Sequence, residues 1–533
     1  MTNPSTTEAR AIVDGLLRSG IDEVVLAPGS RNGPLSIALA QAAAAGRIRL
    51  HVRLDERSAS FLALGIARRT GIPTAVLCTS GTAAAHFHAA AYEATEAGVP
   101  LLLLTADRPD TVRGKGANQT IDQHDMFGVA VRRSFDAPTA DGQADGFWRA
   151  LVAEAVSAAC GDATTAPGAV HVNLPFAEPL VPGTGDDAWT KALPGEAVRR
   201  ARVEVPRGAW SRVWPAGGAT PRGVVVTSDP DAADDVVAFA EALGWPILGE
   251  PGSGARRGTN AIVNYPALLG RPELRPDVVV TVGRFALSRP VAAFVRSAGR
   301  HVSVGRATSD PLGNVDAQIV RLPEVSRLAP TDAAWLDVWQ AAAASVEPPT
   351  SRGEQVVAAV LHATAEGDLV WYGPSTTIRL AERVAPAFDD TVVSRMNRGT
   401  NGIDGVVSAA QGAALAHQRA RGGFAVALMG DLTLLHDING LLIEAGSPVP
   451  DLAIVVLDSN GGRIFSTLEQ GAAEYAPVFD RVYGTPHNRD IAAIAGAYGA
   501  TAVAVSDTHA LTEALVAARA RGGVSVIVFN DQE

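Results

Sequence analysis

The sequence predicts an α/β protein made of three doubly wound domains with mainly parallel sheets. Short runs rich in leucine and β-branched residues alternate with alanine-rich helical stretches almost throughout the 533 residues, a pattern typical of βαβ units. A chain of this length exceeds what one hydrophobic core normally serves. Two proline-rich breaks, at 179–221 and 347–351, divide it into predicted domains at 1–182, 183–347 and 348–533.

The predicted strands follow a similar rhythm in the first and third domains, as expected from an ancient duplication. They lie at 23–26, 48–53, 74–79, 100–105 and 169–174 in the first domain, at 223–227, 278–282 and 301–304 in the second, and at 369–372, 391–394, 424–429, 452–457, 502–505 and 524–529 in the third. Helices fill the gaps between strands. The helix predicted at 58–69 has an apolar face, Ser58 as its N-cap and Gly71 as its stop signal.

The composition argues against several classes of protein. The 45 basic and 56 acidic residues give a net charge of −11, and no basic stretch interleaved with aromatic residues suggests nucleic-acid binding. No apolar run reaches the roughly 18 residues of a membrane span, and the start does not resemble a secretory signal, so a cytoplasmic protein is expected. The two cysteines, Cys78 and Cys160, are too few for a disulfide framework and lack metal-ligand spacing.

Polar residues follow two neighbouring predicted strands of the third domain. One strand runs into Gly430-Asp431-Leu432, and the next ends in Asp458-Ser459-Asn460-Gly461-Gly462. The carboxyl ends of parallel strands lie side by side on the edge where α/β proteins bind ligands, so Asp431 and Asn460 are expected to converge. A carboxylate and an amide oxygen suit Mg²⁺, and the glycines let the backbone approach a phosphate. Two ordinary strand ends are the alternative interpretation.

Strand-to-helix turns of the first domain also carry polar groups. They contain Ser30-Arg31-Asn32, Asp55-Glu56-Arg57, Thr79-Ser80-Gly81 and Asp107-Arg108-Pro109, and an amide-rich stretch follows at 116–124. Hydroxyl groups, guanidinium groups and backbone N–H groups at helix starts attract anions. A tight turn explains each segment alone, but four on one edge form the kind of site expected of a doubly wound sheet.

Taken together, these segments resemble the MenD family, the thiamine diphosphate (ThDP)-dependent synthases of 2-succinyl-5-enolpyruvyl-6-hydroxy-3-cyclohexene-1-carboxylate (SEPHCHC) in menaquinone biosynthesis. The resemblance covers most of the chain, and the middle domain matches least. Its markers are Ala27-Pro28-Gly29-Ser30-Arg31, Asp55-Glu56-Arg57, Thr105-Ala106-Asp107-Arg108-Pro109, Gly116-Ala117-Asn118-Gln119, Asn397-Arg398-Gly399, Gly402-Ile403-Asp404-Gly405 and Gly461-Gly462-Arg463-Ile464-Phe465. It implies a pyrimidine-binding first domain and a diphosphate-binding third domain. Leu432 and Ser459 depart from the glycine and asparagine of many ThDP enzymes.

The resemblance implies a cofactor site with two catalytic residues. Glu56 matches the glutamate that hydrogen-bonds the ThDP pyrimidine ring, and Ile403 matches the apolar wedge that keeps the cofactor bent. Asp55 is the alternative candidate for the pyrimidine contact. Its side chain should point away from that of Glu56, because successive side chains alternate along an extended segment. Ile403 could equally be core packing. The remaining implied cofactor contacts are Ser80, Gly81, Gly402, and the Mg²⁺ or Mn²⁺ ligands Asp431, Asn460 and Gly462, the last through a backbone carbonyl.

In the reaction that the resemblance implies, 2-oxoglutarate loses carbon dioxide and the succinyl carbanion equivalent adds to isochorismate, with ThDP as the electron sink. Both substrates carry several carboxylates, which arginine binds bidentately. Ser375, Arg379 and Arg398 match residues on the 2-oxoglutarate side. Surface solvation is the alternative for the arginines named here, and most of all for Arg289. Pro290 stands where some relatives have a second cation. The residues matched around isochorismate are Ser30, Arg31, Arg108, Asn118, Gln119, Arg289 and Phe465.

The family resemblance also implies a homo-oligomer, either a dimer or a tetramer, whose active sites combine the first domain of one subunit with the third domain of its neighbour. Two other functions compete with this interpretation. Another ThDP carboligase or decarboxylase would act on substrates without a distal carboxylate, which Arg379 and Arg398 argue against. A non-catalytic nucleotide-binding or assembly protein would not need Glu56 and Asp431.

Overall fold

Within the described residues, the strands form three separate parallel sheets, which confirms the predicted fold class. The computed structural model describes residues 3–182, 188–197, 203–215, 219–285, 288–307, 309–324 and 330–531. Residues 183–187, where the first predicted domain boundary falls, lie outside the described residues. Within the described part, no helix is both long and apolar enough to cross a membrane.

The first sheet has six strands in the order β2-β1-β3-β4-β6-β5. Its strands are β1 (Glu23–Leu26), β2 (Arg49–Val52), β3 (Thr74–Cys78), β4 (Leu101–Asp107), β5 (Arg133–Asp136) and β6 (Ala169–Pro175), and its helices are α1 (Pro4–Arg18), α2 (Gly33–Ala44), α3 (Glu56–Thr70), α4 (Thr82–Ala85), α5 (His88–Ala97) and α6 (Asp145–Cys160). The prediction missed β5, an edge strand in which only Phe135 is fully buried.

The middle sheet has five strands in the order β11-β10-β9-β7-β8. Short helices α7 (Ala188–Lys191) and α8 (Trp210–Val213) precede β7 (Gly223–Thr227), α9 (Ala233–Leu243), β8 (Ile247–Gly249), β9 (Val278–Val282), α10 (Arg289–Ser297), β10 (His301–Val304), β11 (Ala317–Ile319) and α11 (Ala334–Ala344). The prediction missed β8 and β11, the two edge strands, because three residues each are too few to show a sequence pattern.

The third sheet has the order β13-β12-β14-β15-β17-β16, which repeats the strand order of the first sheet. Its strands are β12 (Leu369–Tyr372), β13 (Val393–Met396), β14 (Ala425–Gly430), β15 (Leu452–Asp458), β16 (Thr501–Val505) and β17 (Val524–Asn530), and its helices are α12 (Arg352–His362), α13 (Thr376–Val384), α14 (Val406–Arg421), α15 (Asp431–His436), α16 (Ala476–Phe479), α17 (Ile491–Ala497) and α18 (Thr508–Arg521). The shared topology fits the duplication that the sequence suggested.

The first and third domains pack through the helices that follow their second strands, α3 and α14. Both helices belong to one hydrophobic core that joins the two sheets. A Cβ atom on Gly65 would overlap the backbone of Ala409, and one on Gly412 would overlap the carbonyl oxygen of Leu62. These glycines therefore let the two backbones come into contact.

Replacing Gly65 with alanine is expected to lower stability by about 1–3 kcal/mol, because the added methyl group forces the two helices apart. Gly496 in α17 provides a matched control, since a Cβ atom there meets nothing within 4 Å. Gly496→Ala should instead stabilise its helix by about 0.5–1 kcal/mol. Thermal unfolding of both variants tests this, and equal effects would argue against a close helix contact.

The helix predicted at 58–69 begins earlier, at Glu56, and its N-cap is Asp55 rather than Ser58. Asp55 Oδ1 accepts hydrogen bonds from the backbone N–H groups of Arg57 (2.9 Å) and Ser58 (3.3 Å). Ser58 Oγ is instead 3.1 Å from Asp437 Oδ1, to which it donates across the interface with the third domain. The predicted stop at Gly71 is confirmed, because this residue ends the helix with a φ of 68°.

Candidate active site

A pocket of 140 Å³ lies at the carboxyl edge of the third sheet, around the ends of β14 and β15. It brings together five of the predicted site residues, Ser375, Ile403, Asp431, Gly462 and Phe465. Among the described residues, all those that line it come from 375–531. Lining residues that the sequence analysis did not mention individually or in a motif are Thr376, Thr377, Thr433 and Asp531, and Arg463 and Ile464 belong to a marker motif without having been predicted as site residues.

Two helices begin at this pocket. Thr376 and Thr377 form the first turn of α13, and Asp431 is the first residue of α15. The first N–H groups of a helix have no partner within the helix, and the helix dipole places positive charge there. The pocket therefore offers the electrostatic environment that a diphosphate group needs.

Asp431 is 3% exposed and stands beside the end of β15. Its Oδ1 accepts a hydrogen bond from Leu432 N (2.6 Å), and its Oδ2 accepts one from Gly461 N (2.7 Å). Burial raises the pKa of the Asp431 carboxyl group, and these two hydrogen bonds oppose the shift. A buried carboxylate next to two helix starts suits a divalent cation bound to a phosphate.

Two residues near Asp431 were not predicted as part of the site. Asp431, Asp458 and His487 each place one possible ligand atom within 4.8 Å of the others. Asp458 is the last residue of β15, and this position could have predicted it as a site residue. His487 follows a proline in a loop distant in sequence, and no spacing pattern connects it with Asp431.

Asn460 lies next to Gly461, whose N–H group reaches Asp431, as the adjacent strand ends predict. Its side chain, however, pairs with Asn488. Asn460 Oδ1 accepts a hydrogen bond from Asn488 N (2.7 Å), and Asn460 Nδ2 donates one to Asn488 Oδ1 (2.9 Å). The amide oxygen predicted to bind the metal is thus already engaged by a hydrogen-bond donor.

The predicted polar turns of the first domain form one connected cluster. Arg108 donates through Nη1 to Ser80 Oγ (2.6 Å) and through Nη2 to the carbonyl oxygen of Asn118 (2.7 Å). Gln119 Nε2 donates to the carbonyl oxygen of Ser80 (3.2 Å), and the Gly81 backbone lies against Gln119. Arg31 is 9% exposed, and its Nη1 donates to the carbonyl oxygen of Phe176 (2.9 Å). Burial, and then the charge of Arg108, lower the pKa of Arg31. The two guanidinium groups are thus close enough to repel each other, which favours an anionic ligand.

A buried hydrogen-bond network supports this cluster from inside the domain. Gln123 Oε1 accepts a hydrogen bond from Gly81 N (2.9 Å), and Gln123 Nε2 donates to Asn173 Oδ1 (2.9 Å). Asn173 Nδ2 donates to Asp107 Oδ2 (2.9 Å), and Asp107 Oδ1 accepts from Arg108 N (2.7 Å). Asn173 thus connects the turns that carry Gly81 and Arg108.

Comparison with known proteins identifies what the two outer domains are. Residues 6–126 match the family described as "Thiamine pyrophosphate enzyme, N-terminal TPP binding domain", and residues 391–529 match its C-terminal TPP binding domain. The chain is 43% identical over 98% of its length to a SEPHCHC synthase of Saccharopolyspora erythraea, covering 95% of that protein. The identity to a SEPHCHC synthase of Thermobifida fusca is 42%, over 96% of this chain and 94% of that one.

The chain belongs to the SEPHCHC synthase family of ThDP enzymes. A solved structure shows the same fold. This chain superposes on the crystal structure of benzoylformate decarboxylase from Polynucleobacter necessarius with a TM-score of 0.69 and 18% sequence identity. The superposition covers 99% of each chain.

In this SEPHCHC synthase fold, Glu56 is the first residue of α3 and is partly buried. Burial, and then the charge of Glu56, raise the pKa of the Cys78 thiol at the end of β3. Glu56 therefore lies close to the turn that carries Ser80 and Gly81. Asp55 has a different role, because it caps α3 and accepts a hydrogen bond from Asn439 Nδ2 (2.8 Å). The two side chains diverge at a helix start rather than along an extended segment.

The arginines predicted on the 2-oxoglutarate side have different environments. Arg379 donates to the carbonyl oxygen of Ser375 (2.7 Å) and is exposed at the start of α13. Arg398 forms a buried bidentate ion pair with Glu250 of the middle domain, at 2.6 and 2.9 Å. Arg398 thus has two of its donor groups engaged by protein, whereas Arg379 is the more accessible cation.

Three further predicted residues lie elsewhere in the chain. Ser30 is exposed at the first-domain turn, and Gly402 precedes Ile403, which the sequence analysis predicted as the cofactor wedge. Arg289 is 80% exposed and pairs with Glu469 at 2.7 Å, so the structure places it at a contact between the middle and third domains. The loop before Ile403 is anchored by Glu93, whose carboxylate accepts hydrogen bonds from the backbone N–H groups of Gly399 (2.7 Å) and Thr400 (2.6 Å).

The network behind the first-domain cluster predicts a pH effect on stability. Buried His171 joins this network, because its Nε2 lies 2.7 Å from Thr105 Oγ1, which donates to Asn173 Oδ1 (3.0 Å). Burial lowers the pKa of His171 to about 4, whereas an unfolded histidine has a pKa of about 6.5. The unfolded state therefore binds the proton first as the pH falls, and stability is lost below about pH 6.5, by about 2 kcal/mol between pH 6.5 and 5. Comparing the Tm of the native protein and His171→Gln across this range tests it. A difference that stays constant with pH would contradict the assignment.

Proposed function

We propose that this chain catalyses SEPHCHC synthesis, in which 2-oxoglutarate is decarboxylated and its succinyl unit is added to isochorismate, with ThDP and Mg²⁺ or Mn²⁺ as cofactors. The observation that carries this proposal is the pocket in which a buried carboxylate, Asp431, stands beside the starts of α13 and α15. That donor set fits a divalent cation on a diphosphate. When bound, ThDP supplies the electron sink for decarboxylation and carbon–carbon bond formation.

The chain's own residues would bind and orient the reactants. Asp431 and the backbone around Gly462 would hold the metal and the diphosphate, and Ile403 at the pocket wall would support the cofactor. Glu56 would hydrogen-bond the pyrimidine ring and favour the protonation state in which its amino group acts as a base. Arg31 and Arg108 lie close together in the first domain and would bind the carboxylates of isochorismate.

We further propose that the active enzyme is a homo-oligomer with at least two subunits in each site. The pocket described in one chain is lined by residues 375–531, whereas Glu56 and the cluster around Arg108 belong to the first domain. Within one chain, the start of α3 instead contacts residues 436–439, where Arg57 donates to the carbonyl oxygen of His436 (2.6 Å). A second subunit would bring its own Glu56 to the pocket.

The direct test supplies ThDP, Mg²⁺, 2-oxoglutarate and isochorismate and follows the loss of isochorismate with each component omitted in turn. The expected result is a requirement for all four. Turnover with pyruvate in place of 2-oxoglutarate at a similar rate would favour another ThDP carboligase.

Arg379→Ala is expected to raise the KM for 2-oxoglutarate by about 10- to 100-fold, because one charge-assisted contact to a carboxylate contributes about 1.5–3 kcal/mol. Arg383 is a matched control on the same helix, where it pairs with Glu354 at 2.5 Å. Arg383→Ala should leave this KM nearly unchanged. Steady-state kinetics with 2-oxoglutarate as the varied substrate distinguish the two outcomes, and an unchanged KM for Arg379→Ala would refute its role.

A further inference from the structure

One ion pair between the middle and third domains is almost fully buried. Glu250 directly follows β8, at the carboxyl edge of the middle sheet, and its side chain is 2% exposed. Arg398 of the third domain is 8% exposed, and its Nε and Nη2 donate to the two oxygens of Glu250, at 2.6 and 2.9 Å. Two parallel charge-assisted hydrogen bonds fix the plane of a guanidinium group as well as its position.

The backbone that follows Arg398 is held by other contacts. The carboxylate of Glu93, in the first domain, accepts hydrogen bonds from the N–H groups of Gly399 and Thr400. Arg284 Nη1, from the middle domain, donates to the carbonyl oxygen of Gly399 (2.9 Å). A Cβ atom on Gly399 would lie 2.5 Å from the carbonyl oxygen of Glu93, so this segment lies directly against α5. Because these contacts already hold the backbone, the ion pair acts mainly on the direction of the arginine side chain.

The ion pair leaves donor groups of Arg398 for a further anion. A guanidinium group has five N–H donors, and the pair with Glu250 uses two of them. The side-chain amide of Asn401 satisfies both of its groups when its oxygen faces Arg398 Nη1, at 2.7 Å, and its nitrogen faces the carbonyl oxygen of Asn397, at 3.3 Å. Among the contacts of the described residues, two N–H groups of Arg398 then remain, which is the number that a carboxylate engages bidentately.

A second predicted substrate cation, Arg379, lies near Arg398. Loss of hydration lowers the pKa of Arg379, Glu382 opposes this shift, and the charge of Arg398 adds to it. The two guanidinium groups are therefore close enough to repel each other. Burial alone would lower the pKa of Arg398 as well, but the charge and hydrogen bonds of Glu250 raise it. The Glu250 carboxylate thus compensates the cost of burying one arginine beside another.

Resting on the proposed function, we propose that Glu250 is a positioning residue for 2-oxoglutarate, which orients Arg398 so that the two remaining donors bind one substrate carboxylate. The described residues that line the pocket around Asp431 all come from 375–531, so this role would extend the substrate site into the middle domain. The alternative is an interface ion pair with no part in the reaction. That alternative predicts that stability and substrate affinity change together.

The first test is Glu250→Gln in the full-length protein. Glutamine keeps the size of the side chain but turns one acceptor into an N–H donor, which would face a donor of Arg398. We expect the KM for 2-oxoglutarate to rise about 5- to 20-fold, less than the loss of a whole charge-assisted contact would cause. Saturating 2-oxoglutarate should restore most of kcat.

Two controls accompany this variant. The KM for isochorismate and the Kd of ThDP with Mg²⁺, measured by titration calorimetry, should stay within about twofold of the native values, because Glu250 acts on the 2-oxoglutarate side. Asp390→Asn weakens the ion pair with Arg257 at the same domain interface (3.3 Å) and should leave all of these constants unchanged.

A double substitution separates the proposal from its alternative. Arg398→Met removes the substrate cation but leaves the Glu250 carboxylate buried without its partner, so the KM for 2-oxoglutarate should rise and the Tm should fall. In Glu250→Gln/Arg398→Met the buried charge is gone too. The Tm should then recover toward the native value, while the KM stays as high as in Arg398→Met, because Glu250 acts through Arg398.

Three results would overturn the proposal. They are a KM that recovers together with the Tm in the double variant, an unchanged or lower KM for 2-oxoglutarate in Glu250→Gln, and equal increases in the KM of both substrates in that variant. If the native protein does not convert isochorismate with 2-oxoglutarate, ThDP and Mg²⁺, the proposed function itself fails, which is a separate result.

Discussion

Replacing Glu56 with glutamine is expected to reduce turnover by about 10²- to 10⁴-fold, the range typical of a lost acid–base group. The loss should appear in kcat, while folding and most of the affinity for ThDP with Mg²⁺ are retained. Glutamine keeps the size of the side chain but cannot accept and return a proton. The pocket residues that would bind the diphosphate lie in the third domain, so this change leaves them untouched.

Asp55 offers a matched control for Glu56, since the two acidic residues are adjacent but have different partners. Asp55 caps α3 and accepts a hydrogen bond from Asn439. Asp55→Ala should therefore lower stability by about 0.5–2 kcal/mol, while its folded fraction keeps most of its turnover. Stopped-flow or steady-state rates, together with thermal unfolding, separate the two effects. Full activity in Glu56→Gln would remove Glu56 from the mechanism.

The sequence predicted the parts of the site that depend on strand topology. In a parallel sheet, neighbouring strands end at the same edge, so Asp431 and Asn460 were predicted to lie close together. The residue after Asn460, Gly461, donates a backbone hydrogen bond to Asp431, whereas the Asn460 side chain pairs with Asn488. His487 could not be found this way. It comes from a loop that approaches the strand ends only in three dimensions, and a single histidine has no periodicity.

The packing of the first domain against the third could not be predicted from the sequence. Gly65 and Gly412 lie within helices, where a sequence pattern offers no reason for glycine. Their role becomes clear only when α3 and α14 are seen to cross with backbones in contact. The environment of Arg398 could not be predicted from the sequence either. The family pattern suggested a substrate contact, and only the structure shows its bidentate pairing with buried Glu250.

Replacing Asp431 with asparagine is expected to weaken ThDP binding in the presence of Mg²⁺ by about 100-fold or more. Residues that merely support metal ligands typically contribute 10- to 100-fold, and loss of a ligand's charge should cost no less. Asparagine can still accept the hydrogen bond from Gly461, so the local fold should be kept. Calorimetric titration with ThDP measures the change, and native-like affinity would exclude Asp431 as a ligand.

Combining the two variants tests whether the site is shared between subunits. Copies carrying Glu56→Gln and Asp431→Asn are co-expressed with different affinity tags, and the mixed dimer is purified on both tags. If each site takes Glu56 from one subunit and Asp431 from the other, one of its two sites is native and the other carries both changes. The mixed dimer should then recover about half of the native activity, although each variant alone is nearly inactive. Were both residues supplied by the same chain, every site in the mixed dimer would carry one substitution, and activity would stay at the level of the single variants.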